Sequence, residues 1–309
     1  MSKTLIVIAG PTAAGKTALA IQVAKHFKTE IISADSRQFY REMDIGTAKP
    51  SKEELAAIRH YLIDSHSIHD SYSVGDFEKE VINLLNKLFE THDQVVLVGG
   101  SGLFINAVCN GFDEFPASSG ETRARLNQLY SEEGIVPLQE KLKKADPMYY
   151  AEVDLNNPQR LIRALEVFES TGKPFSSFRS KTQRKRDFNI LKIGLSPERS
   201  KLYEQINLRV DQMVKCGLFR EVEALKDYRH LNALNTVGYS EIFEYFDENL
   251  SEEEAIEKIK QNTRRFAKRQ LTWFKKSGDM HWFDPLESGV ILDFLDDAIA
   301  SLQNVGQKN

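Results

Sequence analysis

The feature that most limits how this chain can fold lies near its start: GPTAAGKT, residues 10–17, satisfies the pattern G-x-x-x-x-G-K-[ST] in full. It follows a short apolar run, LIVIA (5–9), and precedes TALAIQVAKHF, whose apolar positions recur at helical spacing. Strand, glycine-rich turn and helix in that order build a phosphate cradle, because backbone N–H groups converge on phosphate oxygens at the positive end of the helix. Gly10, Pro11, Thr12, Ala13, Ala14 and Gly15 supply the loop, Lys16 adds a point charge, and the Thr17 hydroxyl suits Mg²⁺. Such motifs mark nucleotide-binding, commonly ATP-binding, proteins. A polyphosphate is the expected ligand; which one the loop leaves open.

The rest of the chain is consistent with a sheet built around that first strand. EIIS (30–33) and VVLV (95–98) read as buried strands, with a helix from about residue 76 to 91 entering the second. Strands alternating with helices predict an α/β fold, a P-loop NTPase-like parallel sheet flanked by helices. From 121 to 172 only helical patterns occur: TRARLNQLYSEE, PLQEKLKKA and NPQRLIRALEVFEST, the last with Asn157 as cap and Pro158 in the first turn. FNILKIG (188–194) returns the chain to the sheet, and further helices follow, the longest about 251–276. The expected division is therefore a P-loop core of 1–114 plus 188–309 and an all-helical insertion of 115–187.

Composition excludes several classes. With 17 Gly and 9 Pro among 309 residues, and 41% hydrophobic residues, the chain is neither disordered nor collagenous. Cys109 and Cys216 lack metal-ligand spacing and suggest a reducing compartment. LIVIA is too short for a signal peptide, and no apolar run approaches ~18 residues, so a cytoplasmic monomer without a membrane partner is expected. His60, His66 and His69 match no common zinc spacing and are assigned structural or surface roles.

A motor ATPase or GTPase usually closes a second apolar strand with a metal-holding Asp, but VVLVGGSG has Gly99 and Gly100 there. The strand-end acid is instead Asp35, in IISADSRQFY. Carboxyl ends of parallel strands line the ligand crevice, so Asp35 should face whatever the loop holds. The competing reading is that Asp35 only caps a turn with Ser36.

The net charge of −4 conceals segregation. Residues 241–257 carry eight acids and no base, whereas 258–276 carry eight bases and no acid. On a helical projection Arg264, Arg265, Lys268, Arg269, Lys275 and Lys276 fall within an arc of about 140°, with Phe266, Ala267, Leu271, Trp273 and Phe274 on the other side. One face should pack and the other should meet phosphates, unless the acidic stretch neutralises it. A second basic cluster comprises Arg179, Lys181, Arg184, Lys185, Arg186 and Lys192.

GPTAAGKT, SADSRQFY, MDIGTAKP, YSVGDF, VGGSGLF, NPQRLIRALEV followed by TGKP, VGYSE and AKRQLTWF occur in this order along nearly the whole chain. Together they resemble the tRNA dimethylallyltransferase family, also called tRNA isopentenylpyrophosphate transferases. Ser101, Phe104 and Asn157 stand where Thr, Tyr and Asp are common. The zinc-finger extension of eukaryotic relatives is missing, which makes the chain look bacterial. The resemblance implies transfer of a dimethylallyl group from dimethylallyl diphosphate to N6 of the adenine just 3′ of the anticodon, releasing diphosphate. It implies that Lys16 and Thr17 hold the diphosphate and Mg²⁺, that Arg209 meets the diphosphate, and that Asp35 is the general base. Asp35, Ser36, Arg37, Gln38, Ser101, Arg123, Gln159, Arg160, Leu161, Ile162 and Arg163 match positions that touch the tRNA anticodon stem-loop.

These residue types suit the reaction. An exocyclic adenine amine is a poor nucleophile, and a carboxylate within reach can take its proton as the N–C bond forms. Breaking the allylic C–O bond leaves charge that loop N–H groups, Lys16, Arg209 and Mg²⁺ can absorb. A small-molecule kinase, an NTP-dependent RNA-binding switch and an adenylate prenyltransferase are the alternatives that share the loop.

Overall fold

The computed structural model of the chain describes residues 3–113, 115–116, 120–179 and 184–306. It divides into two compact units, Met1–Asn110 with Arg186–Asn309, and Gly111–Lys185.

The first unit is built on six strands: β1 (Thr4–Ala9), β2 (Ile31–Ser33), β3 (His60–Tyr61), β4 (Gln94–Gly99), β5 (Asn189–Leu195) and β6 (His281–Phe283). They form one parallel sheet in the order β3-β2-β4-β1-β5-β6. This is the expected parallel α/β architecture, and β1 is buried at every position because both its faces are covered. Leu5, Val7, Val95 and Leu97 pack on one face with Phe77, Val81 and Leu85 of the helix Val74–Thr91. Ile6, Ile8, Val96 and Val98 pack on the other with Leu19 and Val23 of the helix Lys16–His26 and with Ile291 and Leu295 of the helix Ser288–Gly306. All strands run the same way, so the chain leaves β1, β2 and β4 along one edge of the sheet, and the phosphate loop, Asp35 and Ser101 share that edge. Two edge strands, β3 and β6, were not anticipated. His60 opens β3, with its Nδ1 2.8 Å from the Ile58 carbonyl.

The helix Gly102–Asn110 and the return at Arg186 are tied together within this unit. Arg186 donates Nε to the Val108 carbonyl and Nη2 to the Ala107 carbonyl, both at 2.8 Å, and its Nη2 meets Glu78 Oε1 at 2.6 Å.

The second unit is helical, with Gly120–Glu133, Val136–Ala145, Pro147–Glu152 and Pro158–Thr171. Leu126, Leu138, Leu142, Leu161, Ile162 and Leu165 form its core. Asn157 caps the last helix as expected, its side chain accepting from the Arg160 amide at 3.2 Å. The short helix Pro147–Glu152 was not read from the sequence. It is capped by the buried Asp146, which also accepts the Ser176 amide and hydroxyl at 2.7 and 2.8 Å.

The long basic segment is the helix Glu252–Lys275 of the first unit, opened by a capping box between Ser251 and Glu254. Its first-turn acids, Glu252, Glu253 and Glu254, complement the helix dipole. Its packed stripe is Ala255, Ile259, Ala267, Gln270 and Phe274. Here the structure corrects the sequence reading: Phe266 and Trp273 are 39% and 44% exposed, and the buried middle of the apolar arc between them is taken by Gln270 instead. Among the described residues, no helix is long and apolar enough to cross a membrane.

Candidate active site

The phosphate loop leaves β1 and closes into the helix Lys16–His26 through Gly15, whose backbone is left-handed at φ +78°. The Ala14 amide donates to the Pro11 carbonyl at 3.3 Å, and Lys16 Nζ donates to the same carbonyl at 2.7 Å. Lys16 is thus folded over its own loop. Burial first, and then the neighbouring Arg209, push its pKa down to about 8, while Asp35 partly offsets them. Arg209 comes from the helix Arg199–Lys215 and reaches Thr12 Oγ1 with Nη1 at 3.4 Å. Burial holds its guanidinium below the ordinary value, with Glu54 opposing. Two desolvated cations beside a loop of backbone donors form a site suited to an anion.

β2 delivers the acid. Asp35 Oδ1 accepts the Arg37 amide at 2.9 Å and the Gln38 amide at 3.4 Å. The turn-capping reading of Asp35 is therefore realised, but it uses one oxygen; Oδ2 has no hydrogen bond among the described residues. β4 delivers Ser101, whose Oγ accepts the Ser36 amide at 2.9 Å and so ties the ends of β2 and β4 together. Gln38 donates Nε2 to the carbonyls of Thr47 and Ala48 at 3.3 and 3.0 Å.

One cavity of about 700 Å³ is lined by all of these: Thr12 to Thr17 of the loop, Asp35 to Gln38, Ser101 and Arg209. Gly46 to Pro50, Asn235 to Gly238 and Phe266, Arg269 and Gln270 complete its wall. The chemistry available in this one cavity is anion binding together with a carboxylate oxygen. The Thr17 hydroxyl lines the same cavity and, as a hard oxygen donor beside a phosphate cradle, fits Mg²⁺.

Gln270 escaped the sequence reading. It is 7% exposed, accepts the Thr12 amide on Oε1 and donates Nε2 to the Gly100 carbonyl, both at 2.9 Å. The place of Gly100 follows, since a Cβ there would lie 2.4 Å from Gln270 Nε2. Where a motor ATPase carries a strand-end carboxylate, this chain has a carboxamide crossing from another helix. The available signal was one polar residue between Ala267 and Phe274 on the apolar stripe.

Of the expected tRNA-facing positions in the helical unit, Gln159 and Arg160 are exposed, and Arg123 and Arg163 are half-exposed. Leu161 and Ile162 are fully buried. Their side chains build the unit's core. Glu166, also fully buried, lies 3.5 Å from Arg123 Nε and 3.5 Å from Arg163 Nη1.

On the basic helix the acidic stretch neutralises little: Lys258 pairs with Glu244, and Lys260 with Asp211 and Glu257. Arg264 donates to Asn207 Oδ1 at 2.6 Å. Lys268, Arg269, Lys275 and Lys276 are exposed and make no ion pair with a carboxylate among the described residues. The second basic cluster is partly tied down, by Arg179 to Glu152, Arg186 to Glu78 and Lys192 to Asp279. Lys181 lies outside the described residues.

Comparison with known proteins gives a consistent picture. Residues 38–277 match the IPP transferase family. The tRNA dimethylallyltransferase of Christiangramia forsetii is 54% identical over 300 residues, covering 97% of this chain and 99% of that protein. tRNA dimethylallyltransferase 1 of Bacteroides thetaiotaomicron is 48% identical over 292 residues, covering 94% and 95%. Among solved structures, the full-length tRNA isopentenylpyrophosphate transferase of Bacillus halodurans superposes with a TM-score of 0.74 at 38% identity, covering 99% of both chains. A eukaryotic dimethylallyltransferase captured acting on tRNA gives a TM-score of 0.76 at 27% identity, covering 92% of this chain and 74% of that one.

Proposed function

The chain belongs to the IPP transferase family, and from that premise we propose how its cavity works as a tRNA dimethylallyltransferase. The enzyme transfers a dimethylallyl group to tRNA. The donor is dimethylallyl diphosphate, and the acceptor is N6 of the adenine just 3′ of the anticodon. The observation that carries this reading is the single cavity in which a desolvated Lys16 and Arg209 share a wall with Asp35 and Gln38.

The diphosphate sits on the loop amides between Gly10 and Thr17, where Lys16 and Arg209 take up the charge that grows as the allylic C–O bond breaks. The Thr17 hydroxyl would hold Mg²⁺, which neutralises diphosphate oxygens when bound. Asp35 accepts the N6 proton on the oxygen that its turn leaves unused, while Oδ1 keeps the carboxylate oriented through the Arg37 amide. Ser101 fixes the backbone of Ser36 beside it. Extrusion of the adenine from the anticodon loop costs only a few kcal/mol, since loop bases are already partly unstacked.

In the helical unit, Arg123, Gln159, Arg160 and Arg163 contact the anticodon stem-loop, and the unpaired cations of the Glu252–Lys275 helix add phosphate contacts. A small-molecule kinase needs neither surface. The test is incubation of the purified protein with unmodified tRNA, Mg²⁺ and dimethylallyl diphosphate, followed by nucleoside mass spectrometry. A five-carbon addition on adenosine is expected; ATP hydrolysis with unmodified tRNA would refute the reading.

A further inference from the structure

Gly46 to Pro50 wall the cavity, and the anchor of the loop they belong to, which starts at Asp44, lies on a different element. Glu221, in the helix Leu218–Ala224, accepts three successive backbone amides: Asp44 and Ile45 on Oε2 at 3.0 and 2.7 Å, and Gly46 on Oε1 at 3.0 Å. Its Oε1 also accepts the Tyr239 hydroxyl at 2.6 Å. Those amides open the 3₁₀ turn Ile45–Thr47, so they are the orphan donors of a helix start, satisfied here by a carboxylate from another helix. Tyr239 is fully buried, and its ring lies so close to Gly46 that a Cβ there would fall 2.5 Å from the ring. Burial and then Glu221 raise the phenol's pKa, which keeps it a donor.

The next two carbonyls of the loop, Thr47 and Ala48, receive both N–H groups of Gln38, at 3.3 and 3.0 Å. Ser33 Oγ donates to Gln38 Oε1 at 3.2 Å. Two carbonyls facing one end of a carboxamide determine which end is nitrogen. One lone pair of Oε1 is all that Gln38 has left for a ligand.

We propose that Glu221 is a positioning residue for the acceptor nucleotide: by clamping Asp44 to Gly46 it holds the Thr47 and Ala48 carbonyls against Gln38, so that Gln38 offers a base only a hydrogen-bond acceptor. Gln38 then favours an amino or ring N–H donor and repels a carbonyl. This rests on the reading of the cavity as the tRNA acceptor site, but Glu221 itself touches neither substrate.

Glu221→Gln keeps the shape while turning one oxygen into a donor that faces donors. The expected results are hydrogen exchange about tenfold or more faster at the Asp44, Ile45 and Gly46 amides, a KM for tRNA raised about tenfold, and a dimethylallyl diphosphate Kd within about twofold of the parent. Tyr239→Phe removes one of the four donors and should move the same readouts the same way by a smaller factor; it carries the test if Glu221→Gln does not fold. Unchanged exchange at the three amides overturns the proposal. So does an equal loss of tRNA and donor affinity, which would make Glu221 a general support of the cavity. The exchange measurement needs no substrate, so an inactive parent enzyme would count against the proposed function while exchange still decides the clamp.

Discussion

Lys16 in the sheet unit and Arg160 in the helical unit are both cations that we assign to phosphate, and they are treated in opposite ways. Lys16 is partly buried and desolvated, folded onto the Pro11 carbonyl and held at a pKa of about 8, with Arg209 desolvated beside it. Arg160 stands exposed on a helix whose other side, Leu161 and Ile162, is packed away. Desolvation makes a charge act strongly on a leaving group but costs stability. Exposure costs little and acts weakly, through many salt-sensitive contacts added together. The first arrangement suits bond breaking, the second suits holding a polyanion.

Replacing Asp35 gives the largest expected effect and bears on the buried side of the contrast. Asp35→Asn retains an oxygen to accept the Arg37 amide, so the turn survives while the basic carboxylate is lost. Single-turnover transfer, followed by rapid quench, should fall ~10²-fold or more with tRNA affinity nearly unchanged. Near-normal turnover would reduce Asp35 to a turn residue.

Next comes Lys16. Lys16→Ala should weaken dimethylallyl diphosphate by about 10- to 100-fold in calorimetric titration. In the parent enzyme donor affinity should decline as pH rises through about 8, since the free site loses the proton that the diphosphate needs. Stability of the donor-free protein moves the other way: with the folded pKa below the usual 10.5, the unfolded chain binds more protons between about 8 and 10.5, so this group's contribution rises across that window. Denaturant titration at pH 7.5 and 9.5, with and without Lys16→Ala, checks the sign.

A smaller effect is expected in the helical unit. Arg160→Gln or Arg163→Gln should raise the tRNA Kd about three- to tenfold and reduce the slope of log Kd against log salt by about one, leaving donor affinity alone. The smallest belongs to the basic helix: Lys268→Ala with Lys275→Ala should cost about two- to threefold in tRNA affinity. A donor-binding defect in either pair would erase the distinction between buried and exposed cations.

The two units also differ in what a reader of the sequence could see. Long patterns were legible: LIVIA before GPTAAGKT, the unbroken apolar run VVLV of β4, and the 3.6-residue rhythm of PQRLIRALEV with its Asn157 cap. β3 and β6 were not, because strands of two and three residues at sheet edges carry no periodicity. In the site, the motif residues were legible, but Gln270 and Glu221 were not, since each works by accepting backbone amides distant in sequence. Phe266 and Trp273 misled for the reverse reason: hydrophobic residues are not bound to be inside, and Phe266 lines the cavity.

The Arg186 guanidinium has a bearing on how such a chain can evolve. The helical unit leaves the core after Asn110 and rejoins it at Arg186, and the core pins these two points to each other through the Ala107 and Val108 carbonyls and Glu78. A segment inserted between posts that are already joined pays its closure entropy only once and slowly with length, about 0.6 kcal/mol for each doubling. Lineages can therefore lengthen, trim or exchange what hangs from this gate while the sheet, the phosphate loop and Asp35 stay as they are.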